Sequence, residues 1–245
     1  MKQSLRLENT LPGCQILLVG HQLPKPDCKE KITEAFSLTN ELGAQPERIT
    51  QVKFANDASA PGFQCIAWAA STQRTVQADG IVLPEWDQGA FGYTGDCPAL
   101  ILSNPAQDRV ALVHCGRWAM SPPTACGGCA SNVLTNAFQQ LGAREEPTCV
   151  HAYITGGICG DCFPHETKQH QAYIAPFRHR FGETIFTDVA RGCLDLVQLI
   201  RYQLIGLGVP EEQITHDELC TRETVGLASH RAGDRSRNLI CVVNC

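Results

Sequence analysis

The segment 92–120, GYTGDCPALILSNPAQDRVALVHCGRWAM, holds the residue types best suited to chemistry. Cys97 stands at the mouth of one apolar run, and His114 closes the next strand-like run, RVALVH. A hairpin return between the two would bring thiol and imidazole to about one inter-strand spacing, roughly 5 Å. Such a pair has two chemical uses. As thiolate and imidazolium it is a nucleophile, because the base lowers the cost of ionising the thiol. As two soft-to-borderline ligands it can hold zinc or copper. Spacing alone equally allows a structural role, with Cys97 a small buried side chain and His114 a satisfied strand-end imidazole.

A second set is Cys126-Gly-Gly-Cys129 and Cys159-Gly-Asp-Cys162. Each pair offers two thiolates from one tight turn, so together they could form a second metal site. The gap between them is longer than in the usual zinc ribbon. The alternative is two independent Gly/Cys-rich loops, with Cys129 opening the apolar face of the next helix. A redox pair would need a thioredoxin-like βαβ pattern, which surrounds neither. Arg231, Arg235 and Arg237 could bind a substrate phosphate or carboxylate bidentately. With Asp234 among them, an internal ion-pair network is the competing reading. Asp96 either orients the centre or is a solvated turn carboxylate. His151 is expected in a strand. His165, His170 and His179 fall in a polar stretch and are expected at the surface. Trp118 either stacks on an aromatic substrate or closes the core.

These side chains need elements to position them. Residues 14–20 (CQILLVG) read as a short buried strand, followed by a loop at 21–27. Residues 28–42 read as a helix ended by Gly43. Strands are expected at 49–54, 63–69, 81–83 and 89–93. Residues 98–102 are apolar, 103–107 a turn, and 109–114 a strand. A Gly/Pro/Cys-rich loop at 115–129 precedes a helix at 131–141, where Val133, Ala137 and Leu141 recur every four residues. A strand at 149–154 runs into a second Gly/Cys-rich loop, 155–164. Asp188 is expected to cap a helix whose apolar face is Val189, Cys193, Leu196, Val197, Ile200 and Leu204, ended by Gly206. Residues 238–243 read as a final buried strand. Strands and helices mix without strict βαβ alternation, so the fold class is α+β, one domain over 1–245, with strands supplying the core.

Composition sets outer bounds. The chain has 245 residues, 43% apolar, with 20 Lys plus Arg against 25 Asp plus Glu. That is enough apolar side chain to exclude disorder. The net charge of -5 and the lack of a basic run disfavour nucleic acid as a partner. No apolar run approaches the ~18 residues of a membrane helix, and the polar start is unlike a secretory signal. Fourteen cysteines without an export signal imply a reducing, cytoplasmic setting, where thiols serve as ligands, nucleophiles or small core groups.

The segment around Cys97 and His114 resembles the signature of the YfiH-like, laccase-domain family, the multicopper polyphenol oxidase type. That family carries "T-A-D-C-x-P" before a strand ending in "H-A-G-W-R-G". The counterparts are Thr94-Gly95-Asp96-Cys97-Pro98 and His114-Cys115-Gly116-Arg117-Trp118-Ala119, with Ala78-Asp79-Gly80 upstream. Gly156-Gly157-Ile158-Cys159, the stretch from Asp195 to Val209, Leu219-Cys220-Thr221, Ser229-His230-Arg231 and Arg235-Ser236-Arg237 follow the family's order. The resemblance implies an α+β fold of packed mixed β-sheets flanked by helices. It implies zinc, with copper the other candidate, bound through His, Cys and His, with Cys97 and His114 the second and third ligands. It also implies an enzyme, with purine nucleoside phosphorylase, adenosine deaminase or polyphenol oxidase activity. Purine nucleosides and phosphate would then be the small-molecule partners.

Three departures qualify this. Gln51-Val52-Lys53-Phe54 puts Lys53 where the family's first-ligand histidine stands, with Cys65 as a substitute candidate. A protonated lysine cannot ligate zinc. Gly20 to Pro24 replaces the family's substrate loop, and Gly116-Arg117-Trp118 inverts "G-W-R". The same scaffold class holds cysteine hydrolases, including chemoreceptor and toxin glutamine deamidases. Two alternatives therefore stand: a metal-free Cys/His amidohydrolase, or a non-catalytic member with structural metal on its C-x-x-C pairs.

Overall fold

The central strands here are buried on both faces, so their sequences read as continuous apolar runs rather than alternating ones. The computed structural model describes residues 5–22, 29–55, 64–69, 74–121 and 132–245. In chain order the first half holds β1 (Arg6–Leu11), β2 (Cys14–Gln22), α1 (Lys29–Glu41), β3 (Ile49–Lys53), β4 (Ile66–Trp68), β5 (Thr75–Gln77), β6 (Gly80–Leu83) and β7 (Gly89–Thr94). Then come β8 (Ala99–Asn104), β9 (Arg109–His114), α2 (Val133–Gln140), β10 (His151–Thr155) and α3 (Lys168–Phe181). The chain closes with β11 (Phe186–Asp188), β12 (Cys193–Leu194), α4 (Leu196–Gly206), β13 (Ile214–His216) and β14 (Arg237–Asn244).

Two mixed six-stranded sheets result, in the orders β1-β2-β14-β7-β3-β5 and β13-β10-β8-β9-β6-β4. Period-two alternation assigns each side chain to a layer. In β2, Ile16 and Leu18 join Ile240 and Val242 of β14 in the core between the sheets. There they meet Ile101 of β8 and Leu112 of β9 from the second sheet. Leu17 and Val19 point the other way, onto α1, with Phe91 and Cys241. Leu100 and Leu102 turn outward beneath α2 and α4, which contribute Val133, Phe138, Leu199 and Leu204. The expected α+β class with packed sheets flanked by helices is what forms. No helix among the described residues is long and apolar enough to cross a membrane.

One expected element differs from the structure. Asp188 ends a strand, and the helix begins only after Asp195, whose carboxylate accepts from the Gln198 N–H at 3.0 Å. The chain cannot run helical from 189, because Gly192 adopts φ 63° and the β11–β12 hairpin pairs Asp188 with Cys193. The polar stretch around His170 is a helix, α3, held by only two fully buried side chains, Ile174 and Phe177. Thr167 caps it by accepting from the His170 N–H. Its narrow stripe and internal Pro176 hide the helical period.

Candidate active site

Strands β8 and β9 pair antiparallel, with Ala99 opposite His114. Cys97 lies just before β8, and the Cys115 N–H bonds Pro98 O at 2.8 Å, so the hairpin continues past both strand ends. The two residues therefore meet, as their spacing predicts. The Cys97 thiol lies beside the imidazole, near enough to raise its proton affinity. A Cβ on Gly116 would lie 2.9 Å from His114 Cε1, 3.1 Å from Nε2 and 3.3 Å from Cys97 Sγ. Only glycine leaves thiol and Nε2 this close to the passing backbone.

The other face of the ring is fixed by Asp79, between β5 and β6. His114 Nδ1–H donates to Asp79 Oδ1 at 3.0 Å, and the Asp79 side chain is wholly buried. The same carboxylate accepts from the Ala55 N–H (3.2 Å) and the Gln64 N–H (2.7 Å). Three donors anchor it and fix the imidazole tautomer, so Nε2 is the nitrogen left for Cys97. The Phe54 ring stacks on the imidazole at 4.9 Å between centroids, 17° from parallel. Burial pulls the His114 pKa down, but the charges and hydrogen bonds of Cys97 and Asp79 outweigh it and push the group up to about 10. The imidazolium is thus the favoured form. Cys115, next in sequence, is different: burial drives its thiol well above the ordinary value, which makes it a core group.

The pair opens into a cleft of about 630 Å³ whose lining includes Lys53, Phe54, His230 and Arg237. Among the described residues no Asp or Glu lines it, although the chain as a whole is acidic. Such a cleft favours an anionic group. Of the three arginines singled out, Arg237 lines the cleft. The Arg231 guanidinium lies over the Phe163 ring at 4.5 Å, and its backbone N–H donates to Asp96 Oδ2. Arg235 is exposed and outside the lining. Asp234 accepts from the Ser229 N–H through its carboxylate and from Arg237 Nη1 through its backbone carbonyl, at 3.4 Å.

Asp96 is no solvated turn carboxylate. It is buried at φ 79°, and Oδ1 accepts from the Thr221 hydroxyl at 2.7 Å. His165 is likewise no surface residue, being fully buried. Its Nδ1–H donates to Gly192 O and its Nε2 accepts from Arg117 at 2.7 Å. Burial and the cations Arg117 and Arg231 push it down to about 4, so it stays neutral. His170 is half-buried and His179 exposed. His151, half-buried at the start of β10, is outside the cleft lining. Trp118 packs edge-on against Tyr173 at 5.1 Å, with Arg117 over its ring.

The metal reading can be tested on the donors. Lys53 lines the cleft where the family pattern puts a histidine, and Cys65 is exposed and outside the lining. The described residues place one group of three or more His, Cys, Asp or Glu donors within 4.8 Å of one another, and Cys97 and His114 are not in it. That group is Cys159, Cys162, Cys220 and Glu223. Among the described residues, the donors around Cys97 and His114 do not make the three-residue centre that the family pattern implies. Cys126 and Cys129 lie outside the described residues. Asp79, His230, Cys220 and Glu223 escaped the sequence reading as site residues. Asp79 had a visible signal in the Ala-Asp-Gly triplet, and Cys220 and Glu223 in their i, i+3 spacing.

Fold and site define a two-sheet α+β protein with a Cys–His–Asp cluster at a strand-end cleft. The family model of the multi-copper polyphenol oxidoreductase laccases matches residues 25–242, and the chain belongs to that family. No curated relative matches it in sequence. Among solved structures, Bacillus licheniformis YfiH superposes with a TM-score of 0.73 at 16% identity, covering 95% of this chain and 93% of that one. YlmD from Geobacillus stearothermophilus gives 0.73 at 18% identity, covering 95% and 92%. Neisseria meningitidis NMB0706 gives 0.74 at 19% identity, covering 98% of each. At these identities the likeness establishes the fold.

Proposed function

We propose that this chain is a thiol-dependent enzyme that cleaves a C–N bond at an amide or amidine carbon of a small substrate. The observation that carries this is the Cys97–His114–Asp79 relay opening into a cleft whose described lining includes Lys53 and Arg237 and no carboxylate. Cys97 thiolate adds to the carbon. The His114 imidazolium gives its proton to the departing nitrogen, which leaves as ammonia. The imidazole then takes a proton from water, whose oxygen attacks the same carbon and releases the thiol. Asp79 keeps Nδ1–H in place throughout, so Nε2 moves the protons. Lys53 and Arg237 hold an anionic group of the substrate, and Phe54 offers an aromatic wall. No step is routed through a metal, because the described donors do not form that centre.

Family membership directs the choice of substrate. Aminopurine nucleosides and their phosphates carry an amidine carbon and an anion, so they come first, with glutamine-type amides second. The test is incubation with each substrate, with and without inorganic phosphate, followed by product chromatography. Deaminated product and ammonia, lost in Cys97→Ala, are expected. Free base and sugar phosphate would overturn the C–N assignment in favour of phosphorolysis. Undiminished turnover in Cys97→Ala would overturn the nucleophile.

A further inference from the structure

Away from the relay, two short turns face each other across a second cleft. One is Cys159-Gly-Asp-Cys162, where the Cys162 N–H bonds Cys159 O at 3.2 Å. The other is Cys220-Thr-Arg-Glu223, where the Glu223 N–H bonds Cys220 O at 3.1 Å. Each turn presents two donors at i and i+3, and the four donor atoms lie within 4.8 Å of one another. Tetrahedral zinc with bonds of about 2.3 Å puts its sulfur ligands roughly 3.8 Å apart, so one ion suits this span. Cys162 and Cys220 are buried, Cys159 is half-buried, and Glu223 lies at the solvent edge. The Cys159 N–H also points at Cys220 Sγ, at 3.3 Å. An N–H aimed at a ligand sulfur stabilises the thiolate form that metal requires. Three thiolates exclude calcium and magnesium, and a four-iron cluster needs four.

We propose that Cys159, Cys162, Cys220 and Glu223 bind one zinc ion that clamps these two loops and braces the turn carrying Cys97. The bracing follows from what flanks the ligands. Beside Cys159, the Ile158 N–H bonds Asp96 O at 2.9 Å. Beside Cys220, Thr221 donates its N–H to Gly157 O and its hydroxyl to Asp96 Oδ1. Both loops thus converge on Asp96, whose positive φ sets the approach to Cys97. The proposal is independent of the reaction assigned to Cys97.

The test is titration of chelator-stripped protein with zinc, and with cobalt(II) as a spectroscopic probe. One equivalent should bind, with a thiolate-to-cobalt charge-transfer band of three-thiolate intensity. Cys159→Ser and Cys220→Ser should lose binding or lower the band, while Cys97→Ala keeps both. Should a serine variant not fold, Glu223→Gln serves: the band is retained and zinc is released faster to a competing chelator. Zinc removal should also speed amide exchange at Asp96, Cys97 and Thr221 while β2 and β14 stay protected. A stripped protein that takes up no metal, or binding abolished by Cys97→Ala, overturns the site. Unchanged exchange at Asp96 and Cys97 overturns the brace.

Discussion

Asp79 has no contact with the cleft, yet it decides what His114 can do. Its carboxylate holds Nδ1–H and, with Cys97, raises the imidazole to about 10 from the ordinary 6.5. Asp79→Asn keeps the shape but removes the charge. Turnover should fall by at least about 100-fold, as when a relay carboxylate elsewhere is neutralised. The alkaline limb of the rate profile should move to lower pH, because the proton donor is lost sooner as pH rises. The linked stability has the same sign. A folded-state pKa above the unfolded one contributes stability fully present below about pH 6.5 and lost as pH rises toward about 10. Denaturant titrations across that window should show a smaller loss in Asp79→Asn. Gly116→Ala tests the geometry instead of the charge. Its methyl would meet both Cys97 Sγ and the imidazole, so turnover and fast thiol alkylation should fall together while the circular dichroism spectrum is retained. Alkylation of Cys97 at the wild-type rate in Gly116→Ala would sink the claimed juxtaposition.

At the scale of elements, legibility tracked how each segment is buried. Strands β2, β8, β9 and β14 and helix α1 were readable because apolar runs or a helical period fill them. So was the Cys97–His114 meeting, since a hairpin follows from two apolar runs and a turn. The apolar spacing alone starts helix α4 seven residues too early, at 189 instead of 196. Val189 and Cys193 fit the helical spacing by coincidence, and only the positive φ at Gly192 breaks it. Helix α3 and the burial of His165 were illegible, because their partners come from Arg117 and Gly192, far away in sequence. The Cys220–Glu223 turn could not be paired with Cys159 and Cys162 for the same reason. The start of α4 is testable. Asp195→Ala removes an N-cap and should cost about 1 kcal/mol in urea unfolding. Equal or greater loss of α4 helicity in Asp188→Ala would restore the earlier start.

The two sheets share one layer of side chains, and this governs how the whole molecule should unfold. Ile101 of β8 and Ile240 of β14 are fully buried in that layer, one from each sheet. Neither sheet can shed the other without exposing it, and the outer layers beneath α1 and α2 would then cover only one face of each. Ile101→Ala should therefore cost about 2–5 kcal/mol. That is a large part of a total stability of order 5–15 kcal/mol. The loss should appear in both sheets, because removing a contact common to two layers weakens each by the same free energy. Native-state hydrogen exchange can read this strand by strand. Amides of β8 and of β14 are expected to lose protection together, by matching free energies, in a single cooperative transition over the whole chain. Acceleration confined to β8 and its neighbours, with β14 still at its wild-type protection, would show that each sheet with its helices is a separate unit.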